Sequence, residues 1–567
     1  MKSPIESFSD RVLFGILTEA PDLALNLGIS EVAGQGLPGA ALPDFSEEGA
    51  DRRARLMDGW AAELDGMPAA QDGPADGLTR QVLRFFLHEG FLNRFYGRAG
   101  RGLAEQVEPL THLTGVHATA VEMFARDHPL GASAEAECYV ERLSRLPSAI
   151  QDAAETLRHR RLRGRIGSRP VLDRAVRDLR DAFHERPQQH LFYRTLEKGT
   201  EQISKRSRAL LLDRAARLIE GDIGASYESL LQELTLHAAA ESSTADSGQP
   251  AFYRWRFAGH TTAAIAPEDA HQLGKEELLR VQALLRSEFK ALGMDLPPAG
   301  AFAAFAAQDR YPEGERGRAE ALDQCRRYVA DAEIAMRPLF NLWPRALAEV
   351  RPIQPEQEGS QHSHYVPPQA GERSPGVFWL NLRQALAAPR CESALVCFHE
   401  TWPGHHVQLA LAQELPLPAF RRAILFDGYM EGWAKYSEAL PESVGLVDSP
   451  LFRIARLRME LYSTATLVLD TGVHTHGWTL DKARQFFSRE TGAGPPLTDG
   501  VVLRCAADPA QLCAYKIGLL TMRKLRGRFE RAHAHNYRIQ DFHDAVLGQG
   551  ALPLSVLESA VAGGFPV

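Results

Sequence analysis

The segment 399–406, with the sequence His-Glu-Thr-Trp-Pro-Gly-His-His, constrains this chain more than any other feature. A His-Glu pair closely followed by more histidine is typical of a zinc hydrolase. In such a site two neutral imidazoles hold the metal, and a neighbouring carboxylate takes a proton from water bound to it. In the usual motif, His-Glu-x-x-His, the two histidines share one face of a helix. Here Pro403 occupies the position of the second histidine.

On a regular helix through this segment, neither His405 nor His406 could share a metal ion with His399. His405 lies six residues after His399, about 240° around a helix of 3.6 residues per turn, so its side chain would point away. His406 would return to the same face, but about 10 Å along the axis, too far for two ligands of one metal. The Pro-Gly pair between them can interrupt the helix. We therefore predict a bulged zinc helix, with His399 as one ligand and His405 or His406 as another.

A third metal ligand is expected from a second helix, predicted from about Phe420 to Leu440. Glu431 lies in this segment, within the sequence Tyr-Met-Glu-Gly-Trp-Ala. A lone glutamate on such a helix more often faces solvent or forms an ion pair. Together with two histidines, however, it completes the three protein ligands that catalytic zinc commonly has. Glu400 would then act as the general base.

Further motifs extend along the second half of the chain. They are Pro403-Gly404-His405-His406-x-Gln408, Glu431-Gly432-Trp433-Ala434-x-Tyr436-x-Glu438, Asp470-Thr471-Gly472-x-His474, Gly477-Trp478, Tyr515-Lys516-x-Gly518 and Phe542-His543-x-x-Val546-Leu547. With the segment 399–406, this set resembles the bacterial DUF885 family, strongly from about Tyr365 to the end and weakly through the N-terminal half. That family resembles the helical gluzincins of the angiotensin-converting enzyme and carboxypeptidase Taq type.

The resemblance implies a fold and a cofactor. The expected fold is mostly α: a multi-helix, gluzincin-like metallopeptidase fold with a short sheet beside a bulged zinc helix and a deep central cleft. The expected cofactor is Zn²⁺. Gly404-His405 takes the place of the gluzincin Gly-His pair, with Glu431 26 residues later. The resemblance therefore favours His405 over His406 as the second ligand.

The remaining site residues are also implied by the resemblance. An oxyanion that forms during peptide hydrolysis needs a hydrogen-bond donor, and Tyr515 and His474 are the expected catalytic donors. His476, Tyr365 and Arg504 are expected to bind substrate. For Tyr515, His474 and His476, a packed position in the core is the alternative interpretation.

The chain also departs from the family pattern. Ser463 and Thr466 stand where the family has arginines, Val501 replaces a glutamate, and an Arg-Tyr dipeptide reads Arg504-Cys505. These losses affect substrate binding more than chemistry. The leading hypothesis is a zinc-dependent hydrolase of peptide or amide bonds. A tailoring enzyme of specialised metabolism, acting on a small non-peptide amide or related bond, is the alternative. A metal-binding protein with a degenerate site is the third hypothesis.

Length and periodicity predict the organisation of the chain. At 567 residues it exceeds one typical core. Helical periodicity dominates, and we predict an N-terminal helical half over 1–250 and a catalytic half over 251–567, fused around one cleft. The polar segment 241–250 divides them. The clearest strand signal is 376–382, just before the zinc helix.

Charge and hydropathy restrict the partners. The 64 Lys and Arg against 72 Asp and Glu give a net charge of −8, which argues against nonspecific binding to nucleic acid. The N-terminus lacks an apolar signal core, and no stretch approaches 18 uninterrupted apolar residues. We therefore expect no membrane association and a cytoplasmic location. The expected partner is a peptide or small amide substrate, and a homodimer is one option for the assembly.

Overall fold

The computed structural model describes residues 2–69, 72–92, 94–182, 186–240, 250–294, 302, 309–359, 361–368 and 374–562. Most of these residues are in α-helices, and the strands form three small sheets. The prediction of a mostly helical fold is therefore confirmed. No helix of the described part of the chain is long and apolar enough to cross a membrane.

The chain forms two compact units. One contains Met1–Phe252 with Ala506–Asp508, and the other contains Tyr253–Cys505 with Pro509–Val567. The polar segment predicted to divide the chain lies, at 241–249, outside the described residues. The functional boundary at 250/251 stays a prediction.

The first unit is a helical assembly with two minimal hairpins. Its helices are α1 (Pro4–Glu19), α2 (Pro21–Asn26), α3 (Glu47–Gly66), α4 (Pro74–His88), α5 (Arg98–Arg101), α6 (Val116–Val121), α7 (Ser133–Leu162), α8 (Arg169–Ala182), α9 (Leu191–Gly199), α10 (Lys205–Leu218) and α11 (Gly224–Ala239). The hairpins pair β1 (Glu31–Val32) with β2 (Gln35–Gly36) and β3 (Phe91–Leu92) with β4 (Phe95–Tyr96). Along α7, Tyr139, Leu143, Leu146 and Ile150 recur at helical spacing and are buried, so this face packs against α10 and α11.

From Pro250 onward the chain continues in helices around a third sheet. The helices are α12 (Pro250–Thr261), α13 (Pro267–Ala291), α14 (Gly314–Met336), α15 (Leu382–Ala387), α16 (Arg390–Glu400), α17 (His405–Glu414), α18 (Ala419–Ala423), α19 (Asp427–Ser437), α20 (Leu440–Ser443), α21 (Pro450–Thr475), α22 (Leu480–Thr491), α23 (Pro495–Ala507), α24 (Cys513–Ala532), α25 (Ile539–Leu547) and α26 (Leu554–Ala562). The most extensive packing in the second unit joins α13 to α21 and α19 to α24.

The third sheet has the strand order β5 (Ala348–Pro352), β7 (Gly376–Leu380), β6 (His364–Val366). The central β7 is parallel to β5 and antiparallel to β6. The strand predicted over 376–382 is two residues shorter in the structure. Asn381 ends it, because its side chain accepts the Gln384 N–H at 2.9 Å and so caps α15.

The prediction of a single helix over 420–440 is wrong, because this region contains α18, α19 and the start of α20. Ile424 and Phe426 are buried in extended backbone between α18 and α19. Pro441 prevents α19 from continuing, because a proline ring clashes with the carbonyl four residues earlier, which here belongs to Ser437, the last residue of α19. Tertiary burial and one proline thus divide an apparently continuous helical pattern.

Candidate metal centre

The helix interruption predicted between His399 and His405 is present. The helix α16 ends at Glu400 and α17 begins at His405. Gly404 passes so close to the end of α16 that an added Cβ would lie 1.9 Å from the carbonyl oxygen of His399. Its N–H donates to the Phe398 carbonyl at 3.1 Å. Only glycine permits this approach, which brings the rings of His399 and His405 to a centroid distance of 4.9 Å.

Three side chains converge at this break. Glu431 Oε2 lies 3.6 Å from His399 Nε2 and 3.7 Å from His405 Nε2. One ligand atom from each residue lies within 4.8 Å of the other two. Two ligands about 2.1 Å from one tetrahedral zinc are about 3.4 Å apart, so this spacing is suited to a shared ion. The described residues contain no other group of three or more His, Cys, Asp or Glu with this property.

The donor set fits a metal ion. Glu431 Oε2 is buried and has no hydrogen-bond partner, and the same is true of His405 Nδ1. A buried carboxylate oxygen without a partner is costly, and a cation held between the two Nε2 atoms would satisfy it. Burial alone would raise the pKa of Glu431, but the two imidazoles outweigh it and hold that pKa far below its usual range. The Glu431 carboxylate is therefore ionised, which is the form that binds a metal ion.

A second carboxylate orients the first histidine. Glu438 Oε1 lies 3.0 Å from His399 Nδ1 and 2.8 Å from Lys435 Nζ. A carboxylate that accepts from Nδ1–H leaves Nε2 available for a metal. Glu438 follows Glu431 by seven residues, about two helical turns. Residues seven apart lie on the same face of a helix, so the sequence could have placed Glu438 on the side of Glu431. No role was predicted for Glu438.

The electrostatics of the site favour a cation. Burial would lower the pKa of the His399 ring, but the carboxylates of Glu431, Glu438 and Glu400 outweigh it and raise the pKa to about 10. A site that holds a proton so strongly also attracts a metal ion, which would replace that proton. The side chains of His399 and Glu431 remain 13% and 16% exposed, so solvent reaches the cluster.

Glu400 lies beside the cluster, and the pKa of its carboxyl is shifted in the opposite direction to that of Glu431. Burial raises the pKa of its carboxyl, while His405, His399 and the backbone N–H of Tyr365 act in the opposite direction. The net result is a pKa above the ordinary value. A raised pKa makes a carboxylate a stronger base once it is ionised, which suits it to exchange a proton.

His406 contacts residues outside the His-His-Glu cluster. Its Nε2–H donates to the Ala346 carbonyl at 2.9 Å, and its Nδ1 accepts from the Tyr365 hydroxyl at 2.7 Å. Burial lowers the pKa of this ring to about 4, so it is neutral. An added Cβ on Gly376 would lie 2.0 Å from the Tyr365 hydroxyl, so glycine at the start of β7 makes room for this pair. The structure thus places His405, and not His406, with His399. The substrate role of Tyr365 stays a prediction.

Close packing of two helices brings Tyr515 to the cluster. An added Cβ on Gly432 of α19 would lie 2.6 Å from the Cα of Gly518 in α24, and one on Gly518 would lie 2.3 Å from the Gly428 carbonyl oxygen. The two backbones are therefore in direct contact beside Glu431. Burial and then the negative charge of Glu431 raise the pKa of the Tyr515 hydroxyl far above its usual range. Tyr515 is thus next to the third predicted ligand.

The other predicted site residues are placed differently. Arg504 donates to Gln511 Oε1 at 2.7 Å, and its charge acts on the Tyr515 hydroxyl. His474 lies 3.1 Å from the Cys505 carbonyl oxygen and stacks on Tyr253, while the His476 ring lies 4.1 Å from that of His271. Neither histidine contacts the cluster within the part of the chain that the structure describes. Their predicted roles stay predictions.

Fold and site together define a mostly helical protein with a His-His-Glu cluster at an interrupted helix. Residues 21–561 match the family described as bacterial protein of unknown function, DUF885, and the chain belongs to this family. The resemblance to the DUF885 family, predicted from the motifs, is confirmed.

Two solved structures share the fold. The crystal structure of a candidate lipoprotein from Colwellia psychrerythraea is 23% identical, with a TM-score of 0.91 over 99% of this chain and 98% of that one. The structure of a candidate lipoprotein of unknown function from Shewanella oneidensis is 16% identical, with a TM-score of 0.73 over 99% of this chain and 100% of that one. At these identities the likeness shows the fold alone. No curated protein matches the chain.

Proposed function

We propose that this protein is a zinc-dependent hydrolase of peptide or amide bonds. The observation that carries the proposal is the convergence of ligand atoms from His399, His405 and Glu431 within 4.8 Å, with Glu400 next to the first of them. Three protein ligands with a fourth position open are the pattern of a catalytic zinc site, whereas structural sites have four protein ligands.

The residues of the chain then have distinct roles. Zinc, when bound by His399, His405 and Glu431, would supply Lewis-acid activation of a water molecule and of the scissile carbonyl. Glu400 would take the proton of that water and pass it to the leaving amine, which its raised pKa favours. The Tyr515 hydroxyl would donate to the developing oxyanion.

The finer fold assignment is part of the same proposal. We infer a gluzincin-like arrangement with a deep central cleft, supported by the interrupted α16–α17 pair, by the nearby three-stranded sheet and by a glutamate 26 residues after His405. The cytoplasmic location stays a prediction, and the two similar structures are both described as candidate lipoproteins.

A small uncharged amide is the second candidate substrate class. Ser463 and Thr466, at positions where the family resemblance implies arginines, are buried in α21. Their hydroxyls donate to the carbonyls of Glu460 and Ser463 at 3.0 Å in the same helix. These positions therefore offer no charge to anchor a peptide carboxylate. This favours a substrate recognised through its amide rather than through terminal charge.

Metal content tests the proposed site. The purified protein should contain about one zinc per chain, and His399→Ala, His405→Ala and Glu431→Ala should each lose it. His406→Ala is the matched control, because both nitrogens of the His406 ring already have protein partners. This variant should retain the metal. Zinc at the wild-type level in the first three variants would refute the site. Loss only with His406→Ala would move the second ligand to that position.

Turnover tests the reaction class. A peptide library and a panel of small aryl and alkyl amides should be incubated with the zinc-loaded protein, with and without a chelator. Cleavage that the chelator abolishes and added zinc restores is expected in one of the two sets. Cleavage that the chelator leaves unchanged, or no cleavage in either set by zinc-replete protein, would contradict the proposal.

A further inference from the structure

A pocket with a volume of about 380 Å³ lies between α13, α21 and α22, in the unit that also contains the His-His-Glu cluster. We call it the basic pocket; its walls include Lys275, Lys482, Arg489, Trp478 and His271. None of its lining residues belongs to the His-His-Glu cluster, and the proposed hydrolysis does not use it.

The charge of the basic pocket is entirely positive. Two lysines and one arginine line it, and no carboxylate does, although the chain carries a net charge of −8. Arg489 is partly neutralised, because its Nε donates to Glu490 Oε1 at 2.8 Å. Lys275 and Lys482 have no carboxylate within ion-pair distance among the described residues. A concave surface with uncompensated cations attracts an anion.

The floor of the basic pocket is aromatic. The rings of Trp478 and Phe486 have centroids 5.0 Å apart at an interplanar angle of 63° and form a corner. Lys482 Nζ lies 4.6 Å from the Trp478 ring centroid, above the indole face. Val468 completes the apolar side of the pocket. A planar ring can pack in such a corner through edge-to-face and offset contacts, with its anionic group near Lys482.

His271 contributes a neutral acceptor. Its Nδ1 lies 2.8 Å from Thr471 Oγ1, and that hydroxyl donates its own proton to the Leu467 carbonyl at 2.6 Å. Nδ1 is therefore the protonated nitrogen, and Nε2 carries the lone pair. Burial, followed by the neighbouring His476 and the two lysines, lowers the pKa of this ring to about 4. The positive charge of the pocket thus comes from the long side chains at its rim.

We propose that the basic pocket binds a small aromatic carboxylate, with its ring in the Trp478–Phe486 corner and its carboxylate held by Lys275 and Lys482. This ligand class combines the two features that the pocket offers, a planar apolar surface and uncompensated positive charge. The inference is independent of the zinc site, since it concerns binding and not turnover.

Calorimetric titration with 2-naphthoate tests the inference. Saturable binding is expected, weakening as salt is added, while the neutral isostere 2-naphthamide and the ringless anion acetate should bind much more weakly. Because both lysines are exposed, Lys275→Ala and Lys482→Ala should each weaken binding only about three- to fivefold, and the double variant about tenfold or more.

The control variant is Lys290→Ala, an exposed lysine of the same helix α13 that does not line the pocket; its affinity should equal that of the wild type. Trp478→Ala should remove binding while the far-ultraviolet spectrum stays unchanged. The proposal is overturned if 2-naphthoate does not bind saturably, if 2-naphthamide binds equally well, or if the double lysine variant binds like Lys290→Ala.

Discussion

At the scale of single residues, the pKa values of two glutamates beside the same imidazoles are shifted in opposite directions. The two histidines hold the pKa of Glu431 far below its usual range, whereas burial raises the pKa of Glu400. A carboxylate that stays ionised is suited to bind a metal, and one with a raised pKa is suited to exchange a proton. The different neighbours of two chemically identical side chains therefore separate the proposed ligand from the proposed base.

This separation predicts the behaviour of Glu400→Gln. The variant should keep the proposed zinc and its fold, because glutamine has nearly the same size and Glu400 is not one of the three proposed ligands. Its kcat should fall by roughly 10²–10⁴-fold, the usual contribution of a general base. The measurement is steady-state turnover on protein whose zinc content and circular dichroism equal those of the wild type. Near-normal turnover in such a sample would mean that another group moves the proton.

Tyr515→Phe tests the proposed oxyanion donor. Loss of one oxyanion donor should lower kcat by roughly 10²–10³-fold with little change in KM. Tyr436→Phe is the matched control: its hydroxyl lies 3.0 Å from His543 Nε2, away from the cluster, so this change should cost stability and spare kcat. Equal turnover in the two variants would place the donor elsewhere.

At the scale of elements, a buried ion network joins α13, α21 and α24. Glu460 of α21 is 2% exposed and accepts from Lys516 Nζ at 2.8 Å and from Arg523 at 2.7 and 2.8 Å. Lys516 also lies 2.8 Å from Glu277 of α13. Since Lys516 follows Tyr515 directly, the network orients the turn of α24 that presents Tyr515 to the cluster.

Glu460→Gln should therefore be strongly destabilising. It leaves the fully buried Lys516 with a single carboxylate partner, and removing one member of a buried ion pair typically costs about 3–5 kcal/mol. Urea unfolding at pH 7 measures the loss. Glu276→Gln, an exposed position on α13, is the control and should change the free energy of unfolding by less than about 0.5 kcal/mol.

The destabilisation by Glu460→Gln should also depend on pH. Burial would raise the pKa of Glu460, but Arg523 and Lys516 outweigh it and hold the pKa far below its usual range. A depressed folded-state pKa stabilises the protein above the unfolded-state pKa, about 4.3 for glutamate. The stability difference between the wild type and Glu460→Gln should thus be full at neutral pH and shrink as the pH falls below about 4. A difference that does not change with acidification would contradict the assignment.

At the scale of the whole molecule, the proposed metal links three helices of the second unit. Its ligands come from α16, α17 and α19, so zinc binding should stabilise the folded chain. Zinc at about one hundred times its dissociation constant should add about 2.7 kcal/mol to the free energy of unfolding. Calorimetry of metal-free protein with increasing zinc should show a rising Tm that a chelator reverses. The same rise in His399→Ala would mean that zinc binds elsewhere.

The local part of the site could be predicted from the sequence. His399, Glu400 and the Pro-Gly interruption are within a few residues of one another, and helix geometry shows that a continuous helix could not bring His399 and His405 to one metal ion. The prediction was poorer where distant segments interact. The helix expected over 420–440 is divided because Ile424 and Phe426 are buried in extended backbone, and local periodicity cannot report such burial.

The sequence by itself determined the helical class and the family, and it predicted His399 and Glu431 as candidate ligands and a break in the helix after Glu400, because these depend on periodicity, motif and spacing along the chain. Only the tertiary structure decided which of the two adjacent histidines lies with His399, and that Tyr515 lies beside Glu431. Those outcomes depend on contacts between distant segments: a close approach of Gly404 to the preceding helix, and the packing of Gly432 against Gly518. Such contacts form only when the whole second unit folds.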